Sequence, residues 1–276
     1  MMRPIFVIKS SGQKEEFDEN KLKESLILAG ASAQNAEIIT IKIIEELSEE
    51  ATTSEIYKKA FQLLYKMHLP AAKRYVLRRA VLELGPSGFP FEKYVAEILN
   101  RKGFETKTDE MVMGRCVPHE VDVVAWNEKD LIMVEAKFHN ELGTKSDLKV
   151  VLYVKARVDD LKETELDYGG QNRKVTEGWL VTNTKFTSTA IQYAECTKLK
   201  LVGWNYPERG NLHDLIIETN TLPITCITQL TQTQKNTLLS QGLVFCDSLL
   251  DKTETLKSIG IKEEKIEHIM HEIKSL

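Results

Sequence analysis

Two apolar runs in the middle of the chain are interrupted by charged residues, which a buried strand can hold only if the charges are paired or bind a metal. The runs cover 121–126 and 131–138, and the residues between them, Asn-Glu-Lys-Asp, are typical of a turn. This pattern predicts a β-hairpin. Asp122, Glu135 and Lys137 interrupt the runs. Residues two apart on a strand share a face, so Glu135 and Lys137 should project side by side, and Asp122 can meet them from the neighbouring strand.

The spacing of these charged residues resembles the active-site motif of the PD-(D/E)xK nucleases, in their Mrr-like branch. The segment 119–122 (HEVD) stands at the position of the family's PD element, and 135–137 (EAK) stands at that of its (D/E)-x-K element. The resemblance implies that Asp122 and Glu135 are catalytic ligands of Mg²⁺ or Mn²⁺ and that Lys137 is a third catalytic residue. Carboxylate oxygens suit such an ion, which polarises a phosphoryl oxygen and activates a water. The alternative is a surface hairpin in which Glu135 and Lys137 only form a salt bridge.

Both flanks of the hairpin resemble further parts of the Mrr-like domain. An amphipathic helix is predicted over 89–102, and the resemblance implies that its Glu92 approaches the metal site as a further catalytic residue. The alternative is an exposed first-turn acid that complements the helix dipole. Further along the chain, the sequence GWLVTNTKFTSTA at 178–190 is similar to a second signature of these nucleases.

Hydroxyl and amide side chains in this second signature are candidates for contact with DNA phosphate, since such groups often bond to phosphate oxygens. They are Thr182, Asn183, Thr187 and Ser188. For Thr187 the alternative is capping of a helix that is predicted to run to Cys196. The remaining predicted elements of this region are strands over 105–113, 179–182 and 199–204 and a long helix over 144–161.

The first part of the chain predicts a small hairpin followed by four helices. Its spacing V-I-K-x-x-G-x-x-x-x-F-D-x-x-K resembles the ATP-cone, a nucleotide-sensing domain of ribonucleotide reductases and of their repressor. The resemblance implies ATP or dATP as an effector, bound through Lys9, Gly12, Phe17 and Lys21. Ser10 stands where the family has a basic residue, so a degenerate cone kept as a docking module is the alternative.

The last predicted module is helical and covers 222–276, after a polar connector at 205–221. Its segment 256–261, followed by an amphipathic helix, resembles a helix-hairpin-helix or SAM-like domain. In helix-hairpin-helix proteins the glycine turn points backbone N–H groups at DNA phosphate. The alternatives are a purely structural helical cap and a dimerisation module, which would make the protein a homo-oligomer.

The formal net charge of -4 leaves no overall basic field, so affinity for DNA must come from local patches. One predicted patch lies on the fourth cone helix and contains Lys73, Arg74, Arg78 and Arg79. The 4 cysteines show no C-x-x-C spacing, which indicates reduced thiols of a cytoplasmic protein. No apolar run approaches the roughly 20 residues of a membrane span, so no membrane partner is expected.

The sequence therefore predicts an α+β protein with several domains. We expect a small α-rich ATP-cone at 1–85, a central α/β restriction-endonuclease-like fold with a mixed sheet at 86–206, and a helical C-terminal domain at 222–276. The predicted function is hydrolysis of DNA phosphodiester bonds by a Mg²⁺-dependent endonuclease that is sensitive to adenine nucleotide. The alternative is a non-enzymatic, nucleotide-responsive DNA-binding protein with an inert nuclease fold.

Overall fold

The computed structural model describes residues 5–8, 14–48, 51–85, 89–141 and 143–275. The chain divides into two compact units, Met1–Arg79 and Ala80–Leu276. Every helix in the described ranges is too short or too polar to span a lipid bilayer.

The first unit is a short antiparallel hairpin followed by helices. Its elements are β1 (Phe6–Ile8), β2 (Lys14–Glu16), α1 (Glu19–Leu28), α2 (Ala33–Glu45), α3 (Thr53–Met67) and most of α4 (Leu69–Leu82). The helices begin where side chains accept free backbone N–H groups: Asp18 caps α1, and Thr52 forms a capping box with Glu55 at α3. The predicted hairpin-plus-helices arrangement is confirmed. Its fully buried core residues include Leu26, Ile39, Ile43 and Leu64.

The second unit is built on a mixed sheet. Its first elements are α5 (Phe89–Arg101), β3 (Glu105–Met113), β4 (Pro118–Trp126), β5 (Leu131–Lys137), β6 (Lys145–Ser146), α6 (Leu148–Lys162), β7 (Leu166–Tyr168), β8 (Gln171–Arg173), β9 (Glu177–Thr182), β10 (Lys185–Phe186), α7 (Ser188–Thr197) and β11 (Lys200–Val202). The described residues form a sheet in the order β11-β9-β5-β4-β3. Strands β3, β4 and β5 are antiparallel neighbours, whereas β5, β9 and β11 are parallel. The mixed sheet predicted for this region is confirmed.

Apolar residues of α6 and α7 form one core cluster with the strands, and α5 packs against β3, β4 and β5. The helices supply Val151, Val154, Val158, Ala190 and Ala194 to this cluster. The turn predicted between β4 and β5 lies where expected, and β3 has its predicted bounds. The long helix begins later than predicted, because Asp147 caps it and the preceding residues form β6.

Two short ladders accompany the main sheet and were missing from the prediction. β6 pairs with β10 in parallel, and β7 pairs with β8 as a tight antiparallel hairpin. The turn of that hairpin is Gly169-Gly170, in which both glycines have positive φ, 65° and 70°. Such a turn favours glycine because other residues pay a steric cost in this backbone conformation.

The C-terminal part is helical, as predicted. It contains α8 (Leu212–Thr219), α9 (Gln232–Ser240), α10 (Thr253–Ser258) and α11 (Glu263–Ser275), with short 3₁₀ turns at Ile224–Cys226 and Asp247–Leu249. The prediction of a plain connector at 205–221 was wrong, because α8 lies within it. Asn211 caps this helix, Asn220 ends it with φ 50°, and Leu212 and Ile216 are fully buried. Its two turns are too short to give a clear helical period in sequence.

The C-terminal helices pack against α5. The Tyr94 hydroxyl donates to the carbonyl oxygen of Thr221 at 2.6 Å, and the Tyr94 ring stacks on Phe245 with 5.5 Å between ring centroids. Two turns further along α5, Arg101 forms an ion pair with Asp247 at 2.7 Å. Tyr94 is fully buried by these contacts. The helix that carries Glu92 therefore has one side against the C-terminal helices.

Candidate active site

Strands β4 and β5 stop pairing through their backbones at Asp122. Their register runs from Trp126 opposite Leu131 as far as Val123 opposite Val134. At the next position the Ala136 backbone N–H donates to Asp122 Oδ2 at 2.7 Å. A hydrogen bond to the Asp122 side chain thus takes the place of a backbone–backbone hydrogen bond between the strands. It fixes the Asp122 carboxylate between β4 and β5. One of its oxygens remains available for another partner.

The neighbouring strand β3 is distorted at the same level. Asp109 lies opposite Asp122 in the register, and its φ of 58° is in the left-handed region that non-glycine residues rarely adopt. Val121 and Val124 also pack into the same core cluster although they are three apart, which strict strand alternation would not allow. Backbone strain of this kind persists only where the surrounding structure enforces it, and it is common at functional sites. Sequence reasoning missed Asp109, since no local pattern marks it.

Glu92, in the first turn of α5, belongs to the same acidic group. Burial raises its pKa to about 7, and the negative charges of Asp122, Asp109, Glu120 and Glu135 act in the same direction. The preceding residue, Phe91, packs against Phe138 with 5.5 Å between ring centroids. Glu92 therefore lies close enough to Asp122 and Glu135 for their charges to act on it.

Arg157 of α6 is a site residue that the sequence did not reveal. Its Nη1 donates to Glu135 Oε2 at 2.5 Å, and its Nη2 donates to the Tyr153 hydroxyl at 2.8 Å. The side chains of Arg157 and Glu135 are only 12% and 16% exposed. One oxygen of Glu135 is thus held by a largely buried cation. The only sequence signal was the spacing of Tyr153 and Arg157, four apart on a predicted helix.

The pKa values of the two predicted metal ligands, Asp122 and Glu135, are raised by some neighbours and lowered by others. Burial raises the pKa of Asp122, while the Ala136 N–H and Arg157 lower it. Burial and then Asp122 raise the pKa of Glu135, against Arg157 and Lys137. For both carboxyls the pKa is raised overall, because burial outweighs the groups that lower it. Lys137, at the end of β5 and opposite Thr182 of β9, remains exposed beside them.

The carboxylate of Asp160, on α6, holds the turn between β3 and β4. Asp160 accepts the backbone N–H of Cys116 at 2.9 Å and bonds to His119 Nε2 at 2.8 Å. The His119 hydrogen bond, followed by those from Cys116 and Val117, lowers the pKa of Asp160 to about 2. A Cβ at Gly114 would lie 2.2 Å from Asp160 Oδ2, so this position requires glycine. Within the HEVD segment, His119 therefore has a structural role.

Three family models match this chain. The ATP cone domain matches residues 5–82, a restriction endonuclease domain of the Mrr catalytic type matches 85–205, and the AF1548-like C-terminal domain matches 222–276. The predicted order of an ATP-cone, a Mrr-like nuclease fold and a helical tail is confirmed.

An uncharacterised protein of Archaeoglobus fulgidus is 36% identical over 183 residues, which are 66% of this chain and 99% of that protein. The chain belongs to the AF1548-like family. The crystal structure of the protein of unknown function AF1548 is also 36% identical, with a TM-score of 0.53 over 67% of this chain and 95% of that one. Can2 from Sulfobacillus thermosulfidooxidans, solved with cyclic tetra-adenylate, is 14% identical over 78% of this chain and 69% of its own. The TM-score of this pair is 0.37.

In this AF1548-like protein, the segment 178–190 holds the residues that follow β5 in place. Asn183 accepts the His139 backbone N–H and donates to the His139 carbonyl oxygen, each at 2.8 Å. Thr182 and Asn183 are buried, so the prediction that they contact DNA phosphate was wrong. Thr187 caps α7 through the Ala190 N–H at 3.3 Å, which was the alternative, and Ser188 is exposed.

Only two of the four predicted nucleotide-binding residues, Phe17 and Lys21, lie within the described part of the chain. Lys9 and Gly12 lie outside the described residues. Phe17 is half-buried against the core of the first unit. Lys21 has a 75% exposed side chain and lies 3.8 Å from the Asp18 carboxylate.

The predicted DNA patch on the fourth cone helix needs correction. Arg78 is buried, with 6% of its surface exposed, so it does not lie on an open surface that could contact a phosphate. The guanidinium of Arg79 lies 4.0 Å from the centre of the Tyr57 ring, a cation–π contact inside the first unit. The side chains of Lys73 and Arg74 lie outside the described part of the helix.

The carboxyl groups can be tested for their fit to a divalent metal. Among the described residues, no three Asp, Glu, His or Cys side chains come together as a complete ligand shell. Mg²⁺ commonly needs only one or two carboxylates, because it keeps several waters and takes the remaining oxygens from a phosphate. Asp122 and Glu135 each have one oxygen engaged inside the protein, which leaves the other for such an ion. The donor chemistry of the pair therefore fits Mg²⁺ or Mn²⁺.

Proposed function

We propose that this AF1548-like protein is a metal-dependent endonuclease that hydrolyses DNA phosphodiester bonds. One observation carries the proposal: where β4 and β5 stop pairing, Asp122 and Glu135 are each held through one oxygen, by the Ala136 N–H and by Arg157, beside the exposed Lys137. Neighbouring carboxyls repel one another, and a divalent cation would relieve the repulsion. The match to a restriction endonuclease domain of the Mrr catalytic type supports the same function.

Each residue of the group has a proposed task. Asp122 and Glu135 would hold Mg²⁺ or Mn²⁺, which when bound supplies a Lewis acid and an activated water. Arg157 keeps the Glu135 carboxylate in one orientation through its Nη1. Lys137 would orient the attacking water and stabilise charge that develops on the phosphate. Glu92 would accept a proton at a pH near its pKa of about 7.

Incubation of the full-length protein with supercoiled plasmid, linear DNA and branched DNA tests the proposal. We expect cutting with Mg²⁺ or Mn²⁺ and none with EDTA, and we expect Asp122→Asn to be inactive. An asparagine oxygen can still accept the Ala136 N–H, so this variant should fold. If none of these DNA forms is cut with either metal, the proposed activity is wrong.

We also propose that adenine nucleotide, ATP or dATP, binds the first unit and changes the cutting rate or the size of the oligomer. The match to the ATP cone domain supports this proposal, and so does the exposed Lys21 in the first turn of α1, where the helix dipole favours a phosphate. Titration calorimetry with ATP, dATP and AMP tests it. If no heat is released at about millimolar nucleotide, the dissociation constant lies above that range. The first unit would then be a docking module and not a nucleotide sensor.

A further inference from the structure

Tyr153 of α6 is a large aromatic residue that is 61% exposed next to the candidate active site. Its hydroxyl accepts a hydrogen bond from Arg157 Nη2 at 2.8 Å, and the Arg157 guanidinium lies 4.8 Å from the centre of its ring. Arg157 in turn donates to Glu135, one of the two predicted metal ligands. The Tyr153 ring is therefore held at its hydroxyl end, while most of its surface is open to solvent.

The neighbours of Tyr153 on α6 are apolar and basic. Leu152, the residue before it, is 43% exposed. Lys149, Tyr153 and Arg157 follow one another at intervals of four residues, so they lie on one face of the helix, with about 5–6 Å between successive Cβ atoms. Lys149 is exposed, whereas Arg157 is largely buried beside Glu135. An exposed cation and an open aromatic ring thus lead along one helix face to a predicted metal ligand.

We propose that Tyr153 stacks on an unpaired base of the DNA strand that enters the active site, and that Lys149 contacts its phosphate backbone. Cations that follow the backbone and aromatic rings that stack on bases are the combination that binds single-stranded nucleic acid. Bases inside a duplex are already covered by their neighbours in the stack, so an external ring cannot stack on them. The inference rests on the proposed nuclease function and narrows its substrate to DNA with unpaired bases beside the scissile bond.

The test separates the ring of Tyr153 from its hydroxyl and measures binding without any cutting. Full-length wild type, Tyr153→Phe and Tyr153→Leu are titrated by fluorescence anisotropy, in EDTA, against a fluorescein-labelled single strand and against the duplex of the same sequence. Phenylalanine keeps the ring but loses the hydrogen bond to Arg157, whereas leucine loses both. The control is Tyr65→Leu, which removes a tyrosine of α3 that is 55% exposed. All four proteins have their thermal unfolding compared.

We expect Tyr153→Leu to bind the single strand about tenfold or more weakly than the wild type, the usual cost of removing one aromatic residue that stacks on a base. Tyr153→Phe should bind the single strand as the wild type does, because it keeps the ring. Binding to the duplex should be similar in the wild type and in both Tyr153 variants. The Tyr65→Leu control should bind both DNA forms as the wild type does.

Wild-type affinity of the folded Tyr153→Leu variant for the single strand would overturn the inference, and so would the absence of single-strand binding by the wild type. Equal losses in Tyr153→Phe and Tyr153→Leu would also overturn it, because the hydroxyl and not the ring would then be needed. The same holds for an equal loss on the duplex or in Tyr65→Leu. Failure of the proposed function looks different: the single strand would be bound through the ring, but no DNA form would be cut with either metal.

Discussion

The predicted metal site and the predicted nucleotide site of this chain have opposite surroundings. Glu135 and its partner Arg157 are only 16% and 12% exposed, and a hydrogen bond fixes the Asp122 carboxylate. Lys21, in contrast, is 75% exposed and lies 3.8 Å from the Asp18 carboxylate. Interactions between charges are strong where water is excluded and weak where it is not. We therefore expect substitutions at the first site to have large effects and substitutions at the second to have smaller ones.

The largest effect should come from Lys137, at the end of β5. Lys137→Ala should lower the rate of plasmid cutting with Mg²⁺ by about a hundredfold or more, the usual cost of losing one group that stabilises transition-state charge. The control is Lys129→Ala, an exposed lysine in the turn of the same hairpin. Similar rates for wild type and Lys137→Ala would show that the reactive centre is elsewhere.

The buried partner of Glu135 should have the next largest effect. Arg157→Gln should reduce the cutting rate at saturating Mg²⁺ by about 10–100-fold, as for other residues that orient a metal ligand. Lys155→Gln is a matched control on α6, because Lys155 pairs with Asp159 and not with a carboxyl of the site. If both variants lost the same activity, the effect would belong to the helix and not to Glu135.

Substitutions at the exposed nucleotide site should change nucleotide affinity by a smaller factor. Lys9→Ala/Lys21→Ala should weaken nucleotide binding by about tenfold or more, since hydrogen bonds from charged groups contribute about 1.5–3 kcal/mol each. Calorimetry measures this directly, with Lys66→Ala, an exposed lysine of α3, as the control. An effect of nucleotide on cutting should disappear in the same double variant. Unchanged affinity would remove these lysines from the phosphate site.

The smallest expected effect is on the pH dependence of the melting temperature, measured without metal. Glu92 keeps its proton up to a pKa of about 7 when folded, against 4.5 for an ordinary glutamate. The folded state thus binds more protons between these values, so the melting temperature in EDTA should fall as pH rises from 4.5 to 7. Glu92→Gln should reduce this decline, whereas Glu128→Gln, in an exposed turn, should not. An identical decline in all three proteins would contradict the assigned pKa.

The residues of the candidate metal site differ in how far the sequence could predict them. Asp122, Glu135 and Lys137 were visible because charges within apolar strands are unusual, and the strand period placed them together. Arg157 and Asp109 were not visible, since an α6 side chain and a left-handed strand residue join the site only through tertiary structure. The roles of Thr182 and Asn183 were misjudged for a similar reason. Their polar groups bond inside the protein, which a list of polar residues does not reveal.

Tyr94 has a consequence for how this chain can change over evolutionary time. Its hydroxyl is bonded to Thr221 and its ring is stacked on Phe245, while Glu92 lies two residues before it on the same helix. A gene rearrangement that removed the segment after residue 206 would leave a buried hydroxyl without its acceptor and an apolar surface open to water. Recombination could exchange this tail only together with a compatible α5.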